Sequence, residues 1–182
     1  GMGTPAIVVN AAGVFGPMAL IEDVDPAAWI RTLQVNTIGA FLVCRALVPA
    51  MRAAGWGRIL NATSAAALHA PGPFNSAYAT SKAALNQFTR HLAAELEGSG
   101  VTANVFHPGD VKTEMWADIR DQVAAVEGAG AYQEWVEWVD GTGGDPPEKA
   151  AALVLQIVAG DANGRFLWID EPLQAPIPSW GD

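Results

Sequence analysis

With 182 residues, 51% of them hydrophobic and 16% charged, the chain has the make-up of one soluble globular domain with a substantial core. A net charge of -9 with no cluster of Lys or Arg argues against phosphate-backbone binding and points away from nucleic acid and anionic membrane, because neutralising phosphates needs a basic footprint. The single Cys44 sits inside the apolar run AFLVCRALV, so it has no intrachain disulfide partner and reads as a small core residue, which suits a reducing cytoplasm.

In chain order, the first predicted element is a strand over 6–11, AIVVNA, preceded by Gly1-Met2, to which no structural meaning attaches. Asp25-Pro26 then pairs an N-cap with proline at the first helical position, and one long helix follows through Trp29, Leu33, Leu42, Leu47 and Met51 until Gly55 and Gly57 stop it. No apolar run is expected to approach the ~18 residues of a membrane span, and no signal peptide is expected. A second strand, RILNAT at 58–63, leads to a second helix with Leu85, Phe88, Leu92 and Leu96 at steps of three and four, ending at Gly98 and Gly100. A third strand covers VTANVF at 101–106, a third helix 147–159, and a last strand RFLWID at 165–170. The first three strands are apolar on both faces, which suits buried parallel strands. Strands alternating with helices of crossover length predict a parallel α/β layer architecture, whose ligands sit beyond the carboxyl ends of the strands. The loops beginning at Asn10, Ser64 and His107 lie there.

The segment 114–145 stands apart, with Trp116, Tyr132, Trp135 and Trp138 among glycines and acids. It reads either as a helical flap over the site or as a surface helix pair with ordinary core tryptophans. As a flap, its aromatics would favour an apolar or aromatic alcohol or ketone.

The stretch YATSK places Tyr78 and Lys82 four residues apart, hence on one face of the second helix near its N-terminal end. A free phenol has a pKa near 10, and a nearby ammonium, aided by the helix N-terminus, is expected to lower it toward usefulness. Ser64 ends the second strand fourteen positions earlier, where a substrate oxygen could be held, with Thr63 able to take the same role. Asn36 is an amide within an apolar helix, either a helix-kinking side chain satisfied by backbone or part of a site.

These residues, VVNAAG ending at Gly13, Asn36, Ser64, YATSK and HPGDVKT at 107–113, occur in an order and spacing that resembles the short-chain dehydrogenase/reductase family, and the likeness covers essentially the whole chain. PPEKAA at 146–151 and GRFLWID resemble that family's late helix and last strand. The resemblance implies a Rossmann-like parallel sheet with flanking helices and a site acting with NAD or NADP on an alcohol or ketone. By resemblance, Tyr78 is the general acid or base, Ser64 binds the substrate oxygen, Lys82 tunes the tyrosine and binds the nicotinamide ribose, and Asn36 holds a water linking lysine to solvent. Asn10, Ala12, Gly13, Pro108, Gly109, Val111 and Thr113, with Tyr78 and Lys82, would contact the cofactor, and Trp116, Trp135 and Trp138 the substrate. No metal is expected, and the two long helices imply a homo-oligomer.

The sequence departs from the family at the serine-to-tyrosine interval, at His107 and at Ala11. It also holds no glycine-rich turn ahead of the first strand, so the expected fold is incomplete, with the first βαβαβ half missing and a sheet edge seeking partners. Three explanations stand: a fragment, a shortened non-catalytic binding or scaffold subunit, or a partner chain that supplies the nucleotide half.

Overall fold

The structure is a computed structural model that describes residue 3, residues 5–68 and residues 72–169. Four parallel strands, β1 (Ile7–Asn10), β2 (Gly57–Ala62), β3 (Val101–His107) and β4 (Phe166–Trp168), form a sheet in the order β1-β2-β3-β4. The predicted α/β architecture with flanking helices is what the chain adopts. Asp170, the end of the predicted last strand, lies outside the described residues.

Side-chain alternation along the strands feeds two cores. Ile59, Val101 and Ala103 pack with Cys44 and Met51 of α2 (Gly39–Ala54) and Leu92 and Ala93 of α3 (Ser76–Glu95) on one face. Leu60, Phe106 and Leu167 pack with Leu153 and Ile157 of a helix at Pro147–Ala159 on the other. Each Val, Leu, Ile, Phe or Met side chain among these, fully buried, stabilises the fold by about 1.5–3 kcal/mol. β2 and β3 are buried as expected, but β1 is not: it is four residues long, it is a sheet edge, and Ile7 and Val9 are 45% and 42% exposed.

The predicted first long helix is interrupted. α1 (Pro26–Leu33) begins at the Asp25 cap, whose carboxylate accepts from Ala27 and Ala28 N–H, and passes through one π-helical turn, Gln34–Ile38, before α2. Asn36 lies in that turn. Gly55 ends α2 in the left-handed region at φ 67°, as its position suggested. The expectation that no segment is long enough to span a membrane is corrected here: Pro26–Ala54 is 29 residues long with a mean hydropathy of 1.4 in its most apolar window. In the fold, Asn36 and Thr37 bond to Val14 and to Ser81 of α3, and Ala40, Cys44 and Met51 are buried.

Residues 114–145 form two helices, α4 (Glu114–Val123) and α5 (Gly130–Thr142), ahead of α6 (Pro147–Ala159). Ile119, Val123, Val136 and Val139 of this pair close on Phe15 and Met18 from the loop after β1, making an apolar cluster of their own. Gln122 fastens the contact, its amide donating to the Gly16 carbonyl and accepting from the Met18 N–H.

Candidate active site

Parallel strands deliver their following loops to one end of the sheet, and α3 passes beneath that end. Ala62 is opposite Phe106, and the Thr63 N–H donates to the Phe106 carbonyl at 2.8 Å, so the loops carrying Ser64 and Pro108 leave the sheet side by side. Tyr78 and Lys82 rise toward them from the first turns of α3.

A chain of hydrogen bonds fixes that arrangement. Asn36 accepts from the Val14 N–H at 2.9 Å, and its amide donates to the Val14 carbonyl at 2.9 Å and to Ser81 Oγ at 2.9 Å. Ser81 in turn donates to the Tyr78 carbonyl at 2.7 Å, and Thr37 donates to the Ser81 carbonyl at 2.8 Å. The asparagine therefore clamps the β1 loop to the turn of α3 that carries the tyrosine. The reading of Asn36 as an amide in a helix distortion describes what is seen, since it sits in the π-helical turn and is satisfied partly by backbone. The sequence reading missed Ser81, which is fully buried; a hydroxyl three residues after Tyr78 was the available signal.

Lys82 is 4% exposed, and its ammonium donates to the Ala62 carbonyl at 2.9 Å and lies 5.5 Å from the Tyr78 ring centre. Burial without a carboxylate lowers its pKa to about 8. The Tyr78 phenol moves against the sequence expectation: burial raises its pKa, a hydrogen bond from Ser64 opposes the rise, and the charge of Asp110 adds to it. Removal from water outweighs the help that a lysine one turn away was expected to give.

The two hydroxyls at the end of β2 have different partners. Thr63 is 3% exposed and donates to Asn86 Oδ1 at 2.5 Å, whereas Ser64 accepts from the Ala66 N–H and acts to lower the Tyr78 pKa. Asn10 is occupied within the fold, its amide donating to Asn61 Oδ1 at 2.7 Å and to Cys44 Sγ at 3.6 Å. Cys44 is buried, with its thiol pushed up to about 11 by burial. Gly13 lies against the site: a Cβ there would stand 3.4 Å from Asn36 Oδ1 and 3.6 Å from Lys82 Nζ. Ala12 is exposed beside it, on a cleft of about 220 Å³ bounded by Val9, Val35 and Asn36. A larger cleft of about 650 Å³ opens around Arg58, Gly100 and Asn163, at the opposite end of the strands, away from Tyr78.

The third loop is held from outside. Gly109 turns at φ 83°, where a Cβ would meet Ile169 at 2.3 Å and Asp145 at 2.7 Å. The Asp110 N–H donates to Asp145 Oδ2 at 3.0 Å, and Val111 bridges to Gly144. Thr113 caps α4, its hydroxyl oxygen accepting from the Trp116 N–H. Pro108 is half-buried, and His107 meets Trp168 edge-on with ring centres 4.7 Å apart.

The predicted aromatic set divides. Trp116 is 4% exposed within the α4–α5 cluster, flanked by Lys112 and Arg120; Trp135 is half-buried against that cluster; Trp138 is 48% exposed. The ring stacked nearest the phenol, Phe15, was not among the predicted aromatics, whereas its neighbour Tyr132 was. Phe15, 3% exposed, has its ring centre 4.9 Å from Tyr78 and 5.8 Å from Tyr132 of α5, edge-on to the latter.

The short chain dehydrogenase family profile matches residues 2–124. The chain belongs to this family. Galactitol 2-dehydrogenase (L-tagatose-forming) of Cereibacter sphaeroides is 38% identical to it over 169 residues, which is 91% of this chain and 64% of that protein. Among solved structures, a gluconate 5-dehydrogenase from Burkholderia cenocepacia in complex with NADP and tartrate matches with a TM-score of 0.78 at 27% identity, over 93% of this chain and 64% of that one. An NAD+-bound xylitol dehydrogenase matches with a TM-score of 0.76 at 25% identity, over 90% and 66% of the two chains. This short-chain dehydrogenase thus spans about two thirds of the length of these relatives.

Proposed function

We propose that this short-chain dehydrogenase carries the proton-transfer site of an NAD(P)-dependent oxidoreductase acting on a small alcohol or ketone. The observation that carries the reading is the convergence of Ser64, Tyr78 and Lys82 at one end of the sheet, with Tyr78 held through Ser81 by Asn36. Ser64 and Tyr78 bracket the substrate oxygen. In reduction the neutral phenol, favoured by its buried setting, donates the proton to that oxygen while Ser64 donates a hydrogen bond to it. In oxidation the phenolate form of Tyr78 accepts the alcohol proton and becomes the neutral phenol, and the Lys82 charge, present below pH about 8, favours that phenolate. Asn36 acts as a positioning residue, its amide being occupied by Val14 and Ser81.

The residues present fit the nicotinamide end of such a cofactor. Lys82 donates one hydrogen bond to protein and has three N–H groups, and Gly13 leaves open the space in front of its ammonium. Gly13, Lys82, Pro108, Gly109 and Thr113 would hold that end, with Ala12 and Val111 beside them. The group would supply the hydride, which no side chain can. The exposed apolar row of Ile7, Val9, Ile38, Phe41 and Val43 belongs to the same proposal as the contact face of a homo-oligomer.

Titration with NADH and NADPH, read by energy transfer from tryptophan to the reduced nicotinamide, tests the reading. Saturable binding at micromolar concentration is expected, and Tyr78→Phe should keep that binding while losing at least 100-fold in ketone turnover. No binding of either nucleotide at millimolar concentration overturns it in favour of a non-catalytic subunit.

A further inference from the structure

We infer that Met115 is an oxidation-sensitive gate of the site: its thioether borders the space in front of the Lys82 ammonium, and a peroxide converts it to a sulfoxide whose oxygen takes a hydrogen bond from that ammonium in place of a ligand. The inference rests on the proposed function in one respect, that a nicotinamide nucleotide uses this space, and adds a modification that governs access to it.

Three elements meet at one point beside the β1 loop. A Cβ at Gly13 would stand 3.4 Å from Asn36 Oδ1, 3.6 Å from Lys82 Nζ and 3.6 Å from the terminal methyl of Met115. Those are ordinary van der Waals separations, so the amide of the π-helical turn, the ammonium of α3 and the methyl of α4 line one small space that the glycine leaves open. Met115 reaches it from the first turn of α4, which the Thr113 cap fixes, and it packs on the margin of the α4–α5 cluster.

Exposure separates the methionines. The chain has four. Met51 is 1% exposed in the core that α2 shares with the sheet, and Met18 is 5% exposed within the α4–α5 cluster, whereas Met115 is half-buried. Methionine oxidation follows access of the oxidant to sulfur, so among the described methionines Met115 is the one in its path. The sulfur lone pair attacks one oxygen of hydrogen peroxide, the O–O bond breaks, a sulfur–oxygen bond forms and the other oxygen leaves as water.

The product changes what Lys82 meets. A thioether is a weak acceptor, and the Lys82 ammonium donates to the Ala62 carbonyl, which leaves two of its N–H groups for a ligand. A sulfoxide is polar and carries its acceptor oxygen on the atom next to the Met115 methyl, in the same space. A hydrogen bond from a cation is stronger than one between neutral groups, so a nucleotide hydroxyl has to displace it.

Hydrogen peroxide treatment followed by peptide mapping in a mass spectrometer should find Met115 oxidised about tenfold faster than Met18 and Met51. The oxidised chain should bind NADH about tenfold more weakly in the tryptophan energy-transfer titration, the equivalent of one hydrogen bond to a charged group. Methionine sulfoxide reductases should restore the affinity. Met115→Leu, whatever its own affinity, should not respond to peroxide. One readout needs no nucleotide. With carbon-13 in the methionine methyls, the Met115 signal should titrate with Lys82 near pH 8, apart from the Tyr78 phenol, whose pKa burial holds above its ordinary value. Oxidation should raise that midpoint, because the new oxygen favours the charged ammonium. Met18 or Met51 oxidised as fast as Met115, a midpoint that oxidation does not move, or a nucleotide affinity that it leaves unchanged overturns the inference. If the untreated chain binds neither NADH nor NADPH, the proposed function fails, and the oxidation rates and the methyl titration still decide for Met115.

Discussion

The two sides of the site are held by opposite means. On the α3 side, Asn36, Ser81 and Lys82 are buried polar groups whose positions are set by directed hydrogen bonds to Val14, Tyr78 and Ala62. On the α4–α5 side, Trp116, Ile119, Val136 and Val139 are held by apolar packing against Phe15 and Met18. Hydrogen bonds have angles and lengths to satisfy, so the first side fixes the positions of Tyr78 and Lys82; packing is non-directional, so the second tolerates changes of shape. The two halves therefore rest on different physical supports, and substitutions should separate them.

The largest effect is expected at Trp116. Replacing it with alanine empties the centre of the α4–α5 cluster and should cost about 3–5 kcal/mol in urea unfolding. Asn36→Leu breaks the other support, leaving the Val14 N–H and carbonyl and the Ser81 hydroxyl without their partner. A loss of about 2–3 kcal/mol is expected, together with faster hydrogen exchange at the Val14 amide. If the variant unfolds like wild type, the polar clamp is not what holds the loop.

Lys82→Met should act in the other direction. The folded-state pKa of about 8 lies below the ordinary lysine value of 10.5, so the folded protein carries a penalty for the charge on the order of 3 kcal/mol that is complete below pH about 8. As pH rises from about 8 to 10.5 the unfolded chain holds the proton that the folded one has released, and this contribution to stability increases. The variant should therefore be more stable than wild type at pH 7 by about 1–2 kcal/mol, after the lost bond to Ala62, with the difference closing toward pH 10.5. Denaturant midpoints of both proteins across that range check the sign. The smallest effect belongs to Trp138→Ala, which removes a half-exposed ring on α5 and should stay within about 0.5 kcal/mol.

Much of the polar side was legible because it is written in short-range spacing. The four-residue step from Tyr78 to Lys82 put both on one face of a helix, and the single amide among the apolar residues around Asn36 marked a position needing partners. The apolar side was less legible. Four aromatics in 114–145 suggested a wall, but the sequence could not tell the buried Trp116 from the outward Trp138, nor show that Phe15, from a loop far upstream, would be the ring against Tyr78.

By itself the sequence determined the alternation of strands and helices, the end of α2 at Gly55, and the Tyr78–Lys82 pair, because periodicity and capping act between residues a few positions apart; α3 stops at Glu95, ahead of the glycines expected to end it. Only the tertiary structure paired Thr63 with Asn86, turned one long helix at Asn36, and left β1 half-exposed at the sheet edge. Those outcomes depend on which surfaces are removed from water and which partners meet across the fold. Burial also raised the phenol's pKa where the local lysine alone had suggested a fall, since the loss of water around a buried group outweighs a charge 5.5 Å from its ring.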